Sequence, residues 1–262
     1  RIGQCAMNIY TKESLIEALL RVRDRGWIPV PDVRRANDGS VGNVLEDLLG
    51  IEENNLPLPN AAEWELKCHR LSSNSLLTLL HLEPSPQALR FVPRILLPDY
   101  GWAHREAGKK YRADEKSFRQ TISGYSRSDR GFMVVVDRQA RKVLVSFDAS
   151  SVDARHSHWL ATVEARAGLS ELNPQPYWGF DDLEHKAGAK LLNSFLMGAE
   201  TKKGKEGYFF RYTTILIMES FQIESLLQGL EQGFVFVDFD ARTGHNHGTK
   251  FRIRRSRIPE LY

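Results

Sequence analysis

Cysteine is scarce in this 262-residue sequence, which contains only Cys5 and Cys68. One pair outside a metal-like spacing excludes a disulfide framework and a cysteine-rich zinc module. Long apolar runs are also absent, since none approaches the roughly 20 residues that span a bilayer. No signal-peptide pattern opens the chain. We therefore expect a protein of a reducing, cytoplasmic setting without a membrane partner.

Net charge is low as well, at +3, so the overall balance says little about partners. Its distribution says more, because residues 241–259 contain basic side chains and no acid. A local basic stripe in a near-neutral protein is typical of a nucleic-acid-binding face, and a merely soluble basic tail is the alternative. Phe251 and Ile253 alternate with the charges, which favours a strand with one buried face. The basic residues are Arg242, Lys250, Arg252, Arg254, Arg255 and Arg257.

Composition is otherwise ordinary, with 42% hydrophobic and 26% charged residues, and the length allows a sizeable core. Thr11 and Ser40 are the predicted caps of the first two helices, and Gly26 and Gly50 are their predicted ends. A mixture of helices with antiparallel and connecting strands favours an α+β or mixed α/β fold, as one functional unit over 1–262. Periodicity predicts helices over 11–26, 40–50, 153–168, 182–197 and 222–231, and strands over 60–68, 75–82, 118–125, 132–136, 143–147, 208–218, 234–239 and 249–254.

The most informative stretch is 60–68, NAAEWELKC. Read with period two, Glu63, Glu65 and Lys67 share one side of a strand, and the apolar residues share the other. A carboxylate there can bind a hard divalent cation, and an ammonium two residues on can stabilise charge or position an attacking water. The stretch thus suggests metal-dependent phosphodiester cleavage. The alternative is an amphipathic edge strand with a surface ion pair.

A second informative stretch, 238–252, follows a predicted strand. Arginine offers two parallel donors to guanine, and aspartate can accept from the cytosine amino group. Asp240 and Arg242 at the strand end can therefore read a G·C pair. His245 and His247 share a face and can instead be metal ligands, although no nearby Cys or third His completes a zinc-like set.

Three segments in this order resemble the MvaI/BcnI family of restriction endonucleases, relatives of the MutH repair nuclease. They are VGNVLEDLLGI at 41–51, WELK at 64–67, and DAR at 240–242 through HNHG at 245–248. The resemblance spans most of the chain. It implies a MutH-like core with a central mixed sheet flanked by helices, and bacterial, Mg²⁺-dependent hydrolysis of double-stranded DNA. The implied site is short, with CC and GG flanking a central pair, and the implied enzyme is a monomer that nicks one strand at a time.

Carried over residue by residue, the resemblance makes Glu65 a metal ligand and Lys67 the support of the water or the developing charge. Glu46 matches the helix-borne acid of the family. Asn60 stands where the family has the second metal-binding Asp. Neutral Asn offers an oxygen without a charge, so metal affinity and turnover should both fall. The chain is then an inactive Asp-to-Asn form.

On the DNA side, the resemblance makes Asp240 and Arg242 the major-groove readers. Its further DNA contacts are His245, His247, Lys250, Arg252 and His81, with Lys250 a phosphate contact beside Arg254 and Arg255. His81 can equally well be interpreted as a partly buried histidine of a strand, without a DNA contact. The implied catalytic lobe covers about 11–150, the DNA-recognition lobe draws on about 100–130 and 200–258, and the two lobes form a DNA cleft.

Other functions remain open at this point. One is a MutH-like repair nuclease that nicks one strand under the control of a partner. Another is a non-catalytic, sequence-specific DNA-binding module in which Asn60 is native. A protein-interaction domain without a DNA role would leave the basic strand unexplained.

Overall fold

The structure, a computed structural model, describes residues 10–34, 39–51 and 63–262. The α-helices in this part of the chain are α1 Lys12–Asp24, α2 Ser40–Leu49, α3 Leu97–Tyr100, α4 Ser157–Ala167, α5 Phe180–Leu191 and α6 Ile223–Gln232. The strands are β1 Trp27–Pro29, β2 Trp64–Arg70, β3 Leu77–His81, β4 Trp102–Ala103, β5 Lys116–Ile122, β6 Phe132–Asp137, β7 Lys142–Phe147, β8 Tyr177–Gly179, β9 Asn193–Gly204, β10 Gly207–Glu219, β11 Val235–Arg242, β12 His245–Asn246 and β13 Lys250–Ile253. The predicted α+β class is confirmed.

The chain divides into two compact units. Unit 1 comprises residues 1–75, 186–222 and 262, and unit 2 comprises 76–185 and 223–261. Neither unit is continuous in sequence, because α5 leads from unit 2 into unit 1 and the chain returns after β10. The bounds of the implied catalytic and DNA-recognition lobes stay a prediction.

Unit 1 is built on a mixed sheet of order β1-β10-β9-β2. β2 runs parallel to β9, and the other pairs are antiparallel. The apolar stripes of α1 and α2 join Trp64 and Leu66 of β2 in one buried cluster with Phe195 and Met197 of β9. The alternation predicted for 64–68 is therefore confirmed from Trp64 onward. Glu63 lies in a turn before the strand, and 60–62 are outside the described residues.

The ends of α1 and α2 follow local chemistry. Thr11 caps α1 through a reciprocal bond with Ser14, as predicted. Gly50 ends α2 in the left-handed conformation, with φ +66°. Ser40, however, is not the N-cap, because the helix begins at Ser40 itself and Gly39 precedes it. The Ser40 hydroxyl instead accepts a hydrogen bond from Arg70 of β2 at 2.8 Å.

Unit 2 contains two sheets, one of order β3-β13-β11-β5-β4 with β12 paired to β11, and one of order β6-β7-β8. Phe118 of β5, Phe132 of β6 and Phe147 of β7 stack edge-on or tilted in the core, with ring centroids 5.0–5.5 Å apart. Tyr100 and Trp159 extend this aromatic core. The predicted hairpin over 132–147 is confirmed as β6 and β7.

The helix predicted over 182–197 is half wrong, because α5 ends at Leu191 and β9 begins at Asn193. Residues 195–199 are buried in a strand that pairs on both sides. A strand buried on both faces has a continuous apolar run, and periodicity alone cannot separate that run from a buried helix.

Two glycines provide a test of this backbone. Gly131 has φ +80°, and a Cβ there would overlap the carbonyl oxygen of Asp148. Gly188 lies inside α5, and apart from its chain neighbours and the backbone of its own helix no described atom lies within 4 Å of an ideal Cβ there. We expect Gly131→Ala to lower the free energy of unfolding by about 2–4 kcal/mol. Gly188→Ala should raise it by about 0.5–1 kcal/mol. Urea unfolding followed by tryptophan fluorescence measures both, and equal effects would contradict the described backbone.

Candidate functional site

Glu65, in β2, is a buried acid with only 1% of its surface exposed. Its Oε1 lies 2.7 Å from Nζ of Lys67, two residues along the same strand. A second ammonium, Nζ of Lys190 at the end of α5, lies 3.8 Å from the same oxygen. Burying a carboxylate is costly unless cations compensate for the lost water, so the two lysines make this position tenable.

The other carboxylate oxygen of Glu65 lacks a partner among residues 10–34, 39–51 and 63–262. Oε2 is buried and makes no hydrogen bond with any described residue. A carboxylate oxygen retains its lone pairs for a hydrogen-bond donor or a cation, and leaving it unsatisfied costs free energy. This oxygen can therefore bind a hard divalent cation directly.

Glu46 approaches the same region from α2, which packs against β2. Its charge raises the pKa of Cys68 and opposes the lowering of the Lys190 pKa, so it lies within electrostatic range of both. Asp47, the neighbouring acid, forms an ion pair with Arg34 at 2.9 Å. Of the two helix-borne acids, Glu46 is the one whose charge acts on Lys190, the lysine beside Glu65.

Lys190 was not identified from the sequence. Burial lowers its pKa, the charge of Glu65 raises it, and Lys67 and Lys186 lower it. The pattern of α5 predicted only a helix face for this lysine. The approach of α5 to β2 is a tertiary contact, and no local motif signals it.

Ser194 and Tyr262 complete the surroundings of Glu65. Ser194 lies opposite Glu65 in the parallel register of β2 and β9, and its Oγ is 2.6 Å from the Tyr262 hydroxyl. Burial raises the pKa of Tyr262 to about 12, the hydrogen bond with Ser194 lowers it, and the Glu65 charge raises it. The phenol is therefore neutral near pH 7 and can exchange a hydrogen bond without adding a charge.

Within residues 10–34, 39–51 and 63–262, no group of three or more His, Cys, Asp and Glu side chains is arranged to hold a metal. Glu65 is one carboxylate among cations. The other predicted ligand, Asn60, lies outside the described residues. The described part of the site thus supplies one free carboxylate oxygen and its flanking lysines.

The predicted DNA-contacting residues lie together in unit 2, on the sheet of β3, β13, β11 and β5. Along β11, buried residues alternate with half-buried ones, which separates an apolar core face from a polar face. The polar face carries Asp238, Asp240 and Arg242. Register places Asp240 opposite Arg119 of β5, and Lys250 of β13 opposite both Asp238 and His81.

Both aspartates of this polar face are paired. Asp240 lies 2.8 Å from Nε of Arg119 and 3.8 Å from Nζ of Lys250. Asp238 accepts from Arg252 at 3.2 Å, and the same guanidinium donates to the Leu76 carbonyl. Arg252 is thus held mainly by the protein. Together with Thr121, these side chains line a cavity of about 310 Å³.

His245 and His247 contact each other directly. Nε2 of His245 lies 3.2 Å from Nδ1 of His247, and the rings are nearly perpendicular. Burial lowers the pKa of His247, Asp240 raises it, and His245 lowers it. No third metal-ligating side chain joins the pair among the described residues. Nearby, Glu83 accepts bonds from the backbone and hydroxyl of Thr249, which holds the connection from β12 to β13 in place.

Sequence reasoning missed several residues of this region: Tyr111, Glu115, Arg119 and Thr121. The period-two pattern of β5, in which Ser117, Arg119 and Thr121 alternate with Phe118, was a usable signal for the last two. Tyr111 and Glu115 belong to a connection without periodicity, so only the fold brings them to β11.

Comparison with solved structures gives the class of protein. The chain is similar to the structure described as "Restriction endonuclease MvaI-cognate DNA substrate complex", with 25% identity, a TM-score of 0.76 and coverage of 96% of this chain and 97% of the other. It is also similar to "Restriction endonuclease MvaI in the absence of DNA", with 26% identity, a TM-score of 0.50 and coverage of 94% and 95%. The fold is that of a restriction endonuclease.

The family is shown by its sequence profile. The profile of the MvaI/BcnI restriction endonuclease family matches residues 16–262, so the chain belongs to that family. A search of curated proteins found no match. Among the described residues, the longest helices fall short of the length and apolar character that a membrane span needs. The resemblance carried by 41–51, 64–67 and 240–248 is thereby confirmed.

The proximity of Glu46 to β2 can be tested through Cys68. Burial raises the pKa of the Cys68 thiol, a backbone hydrogen bond from His69 lowers it, and the Glu46 charge raises it. In a Cys5→Ser background with EDTA, we expect Glu46→Gln to increase the rate of Cys68 alkylation by iodoacetamide, because the thiolate is the nucleophile. Asp47→Asn, the matched control, should leave the rate unchanged. Equal rates for the two variants would contradict the effect of the Glu46 charge on Cys68.

Proposed function

We propose that this protein is a Type II restriction endonuclease that hydrolyses phosphodiester bonds of double-stranded DNA, with Mg²⁺, at a short CC-x-GG-like site. The observation that carries the proposal is Glu65 in a chain of the MvaI/BcnI family. It is a buried carboxylate with a lysine at 2.7 Å from one oxygen, and the other oxygen makes no hydrogen bond with the residues that the structure describes. The likeness to MvaI on its cognate DNA supports duplex DNA as the partner.

The residues around Glu65 fit a hard cation. Oε2 of Glu65 would hold Mg²⁺, and the side-chain oxygen of Asn60 would be a second, uncharged ligand. When bound, Mg²⁺ supplies Lewis-acid stabilisation and a more acidic water. A neutral ligand at position 60 weakens this site, so we propose that the chain as it stands is a poorly active or inactive form.

The lysines have separate tasks in this proposal. Lys67 holds Glu65 through Oε1, and its positive charge would stabilise the attacking water or the developing phosphate charge. Lys190, farther from Glu65 at 3.8 Å, adds positive charge at the same oxygen. Glu46 adds a second negative charge from α2, which favours a cation in this region.

The polar face of unit 2 is proposed to read the DNA. Asp240 would accept from a cytosine amino group, and Arg242 would donate to guanine. His245 and His247 would add base or phosphate contacts, and His81 would reach a base. Lys250 and Arg252 would contact phosphates or hold the aspartates, which positions the protein without reading sequence. The protein would act as a monomer that cuts the two strands in turn, with unit 1 carrying the hydrolytic residues.

Asn60 provides the first functional prediction. Replacing Asn60 by Asp restores a negative charge at the second ligand position, so we expect Mg²⁺-dependent cleavage to rise by roughly tenfold or more, equivalent to about 1.4 kcal/mol in the barrier. Plasmid and duplex cleavage at several Mg²⁺ concentrations measures this. Asn43→Asp, which adds the same charge on α2, is the matched control and should not increase cleavage.

The Asn60 result also separates the remaining functions. Prompt linearisation of plasmid by the Asn60→Asp protein supports a restriction endonuclease, and persistent nicked circles support a MutH-like nicking enzyme. Neutral Asn60 itself favours a non-catalytic DNA-binding module as the second candidate. Site-specific binding in Ca²⁺ with no cleavage after Asn60→Asp would favour that module over the nuclease.

Lys67 provides the second prediction. In the Asn60→Asp protein, Lys67→Ala removes the ammonium nearest Glu65, and we expect cleavage to fall by about 100- to 1000-fold. DNA affinity in Ca²⁺ should change little, because the loss concerns the reaction and not the binding. Lys12→Ala removes another carboxylate-paired lysine of unit 1 and serves as the control. Cleavage that survives Lys67→Ala would place the reaction elsewhere.

A further inference from the structure

Arg242 is held by two neighbours outside its own strand. Its Nη1 donates to Oε1 of Glu115 at 2.9 Å, and its guanidinium carbon lies 4.5 Å from the centroid of the Tyr111 ring. Both neighbours belong to the connection between β4 and β5. We infer that Glu115 and Tyr111 are positioning residues that orient Arg242 to read one guanine. This inference rests on the proposed function.

Glu115 is a rigid support for this arrangement. It is 6% exposed, so its charge requires a cation, and Arg242 forms an ion pair with it at 2.9 Å. Its backbone is held on both sides, because its carbonyl accepts from His104 and its N–H donates to Arg112. The carboxylate is thus fixed before any ligand arrives, and it fixes Nη1 in turn.

Tyr111 restrains the plane of the guanidinium. Its ring packs edge-on against His104, with centroids 4.8 Å apart, which limits ring rotation. A cation above an aromatic face is attracted by the ring quadrupole. One restraint acts on Nη1 and the other on the guanidinium plane, and together they leave Arg242 little rotational freedom.

The free donors of Arg242 suit a guanine. Within the described residues, the hydrogen bonds of its guanidinium come from Nη1. The side chain is 30% exposed. The Nε and Nη2 edge, with two parallel N–H groups, is the edge that binds O6 and N7 of guanine side by side. Arg252 offers no such edge, because its Nε is buried and its Nη2 donates to the Leu76 carbonyl.

The competing explanation is a purely structural ion pair, and a double-mutant cycle separates the two. The unchanged protein is first used, in Ca²⁺, to select its preferred duplex from a pool of DNA duplexes with a randomised central sequence. Affinities are then measured for duplexes with one base pair replaced at a time. We expect Glu115→Ala and Tyr111→Ala to lower discrimination at a single G·C pair by roughly tenfold, as Arg242→Ala does, and to leave the other positions and the salt dependence unchanged.

Conservative variants and a matched control sharpen the test. Tyr111→Phe keeps the ring and should retain discrimination, and Glu115→Gln keeps an acceptor and should retain part of it. Asp114→Asn changes the adjacent acid, which pairs with Arg112, and should have no effect. Thermal unfolding of each variant identifies misfolded proteins. Where an alanine variant is misfolded, the discrimination measured for Tyr111→Phe or Glu115→Gln tests the inference in its place.

In the Arg242→Ala background, Glu115→Ala should have no further effect on discrimination. If Glu115→Ala still lowers discrimination in that background, the inference is overturned while the proposed function stands. The same holds if the single variants leave discrimination unchanged or lower it equally at every position. A protein that prefers no duplex from the pool would overturn both.

Discussion

The burial of the Glu65 carboxylate is the constraint on which unit 1 depends. A charge that is 1% exposed persists only with compensating cations, and this requires Lys67 on the same strand face and Lys190 at the end of α5. The pairing satisfies Oε1, and no residue in the described part of the chain makes a hydrogen bond with Oε2. The same pairing therefore compensates the buried charge and leaves one carboxylate oxygen available to a ligand. The apolar rear of β2, packed on α1 and α2, holds that oxygen in place.

Unit 2 uses a buried acid in a related way. Glu115 is buried and paired with Arg242, so its charge fixes a cation at the end of β11. In unit 1 the lysines hold the Glu65 carboxylate, and one oxygen of that carboxylate makes no hydrogen bond within the described residues. In unit 2 the acid holds the cation, and the cation carries the free donors. Preorganisation of this kind lowers the entropy cost of binding, because the side chains are ordered before the ligand arrives.

The sequence was most informative where chemistry is local. The Thr11 cap, the Gly50 end of α2, the β6–β7 hairpin and the alternation of Trp64, Glu65, Leu66 and Lys67 each depend on a few adjacent residues. The prediction was wrong at Ser40, where a hydrogen bond from Arg70 competes with capping. It was also wrong over 192–197, where a strand pairs on both sides and has no polar alternation to mark it.

The sequence by itself thus determined the family, the Glu-x-Lys strand, and the set of residues on the polar face of β11 and β13. Tertiary structure alone decided which side chains meet them. Lys190 reaches Glu65 from 125 residues away, and Glu115 reaches Arg242 from 127 residues away. Such contacts arise when sheets and helices pack to bury apolar surface, and this packing is a property of the whole chain. No local pattern encodes them, because each partner reads as an ordinary charged residue in its own segment.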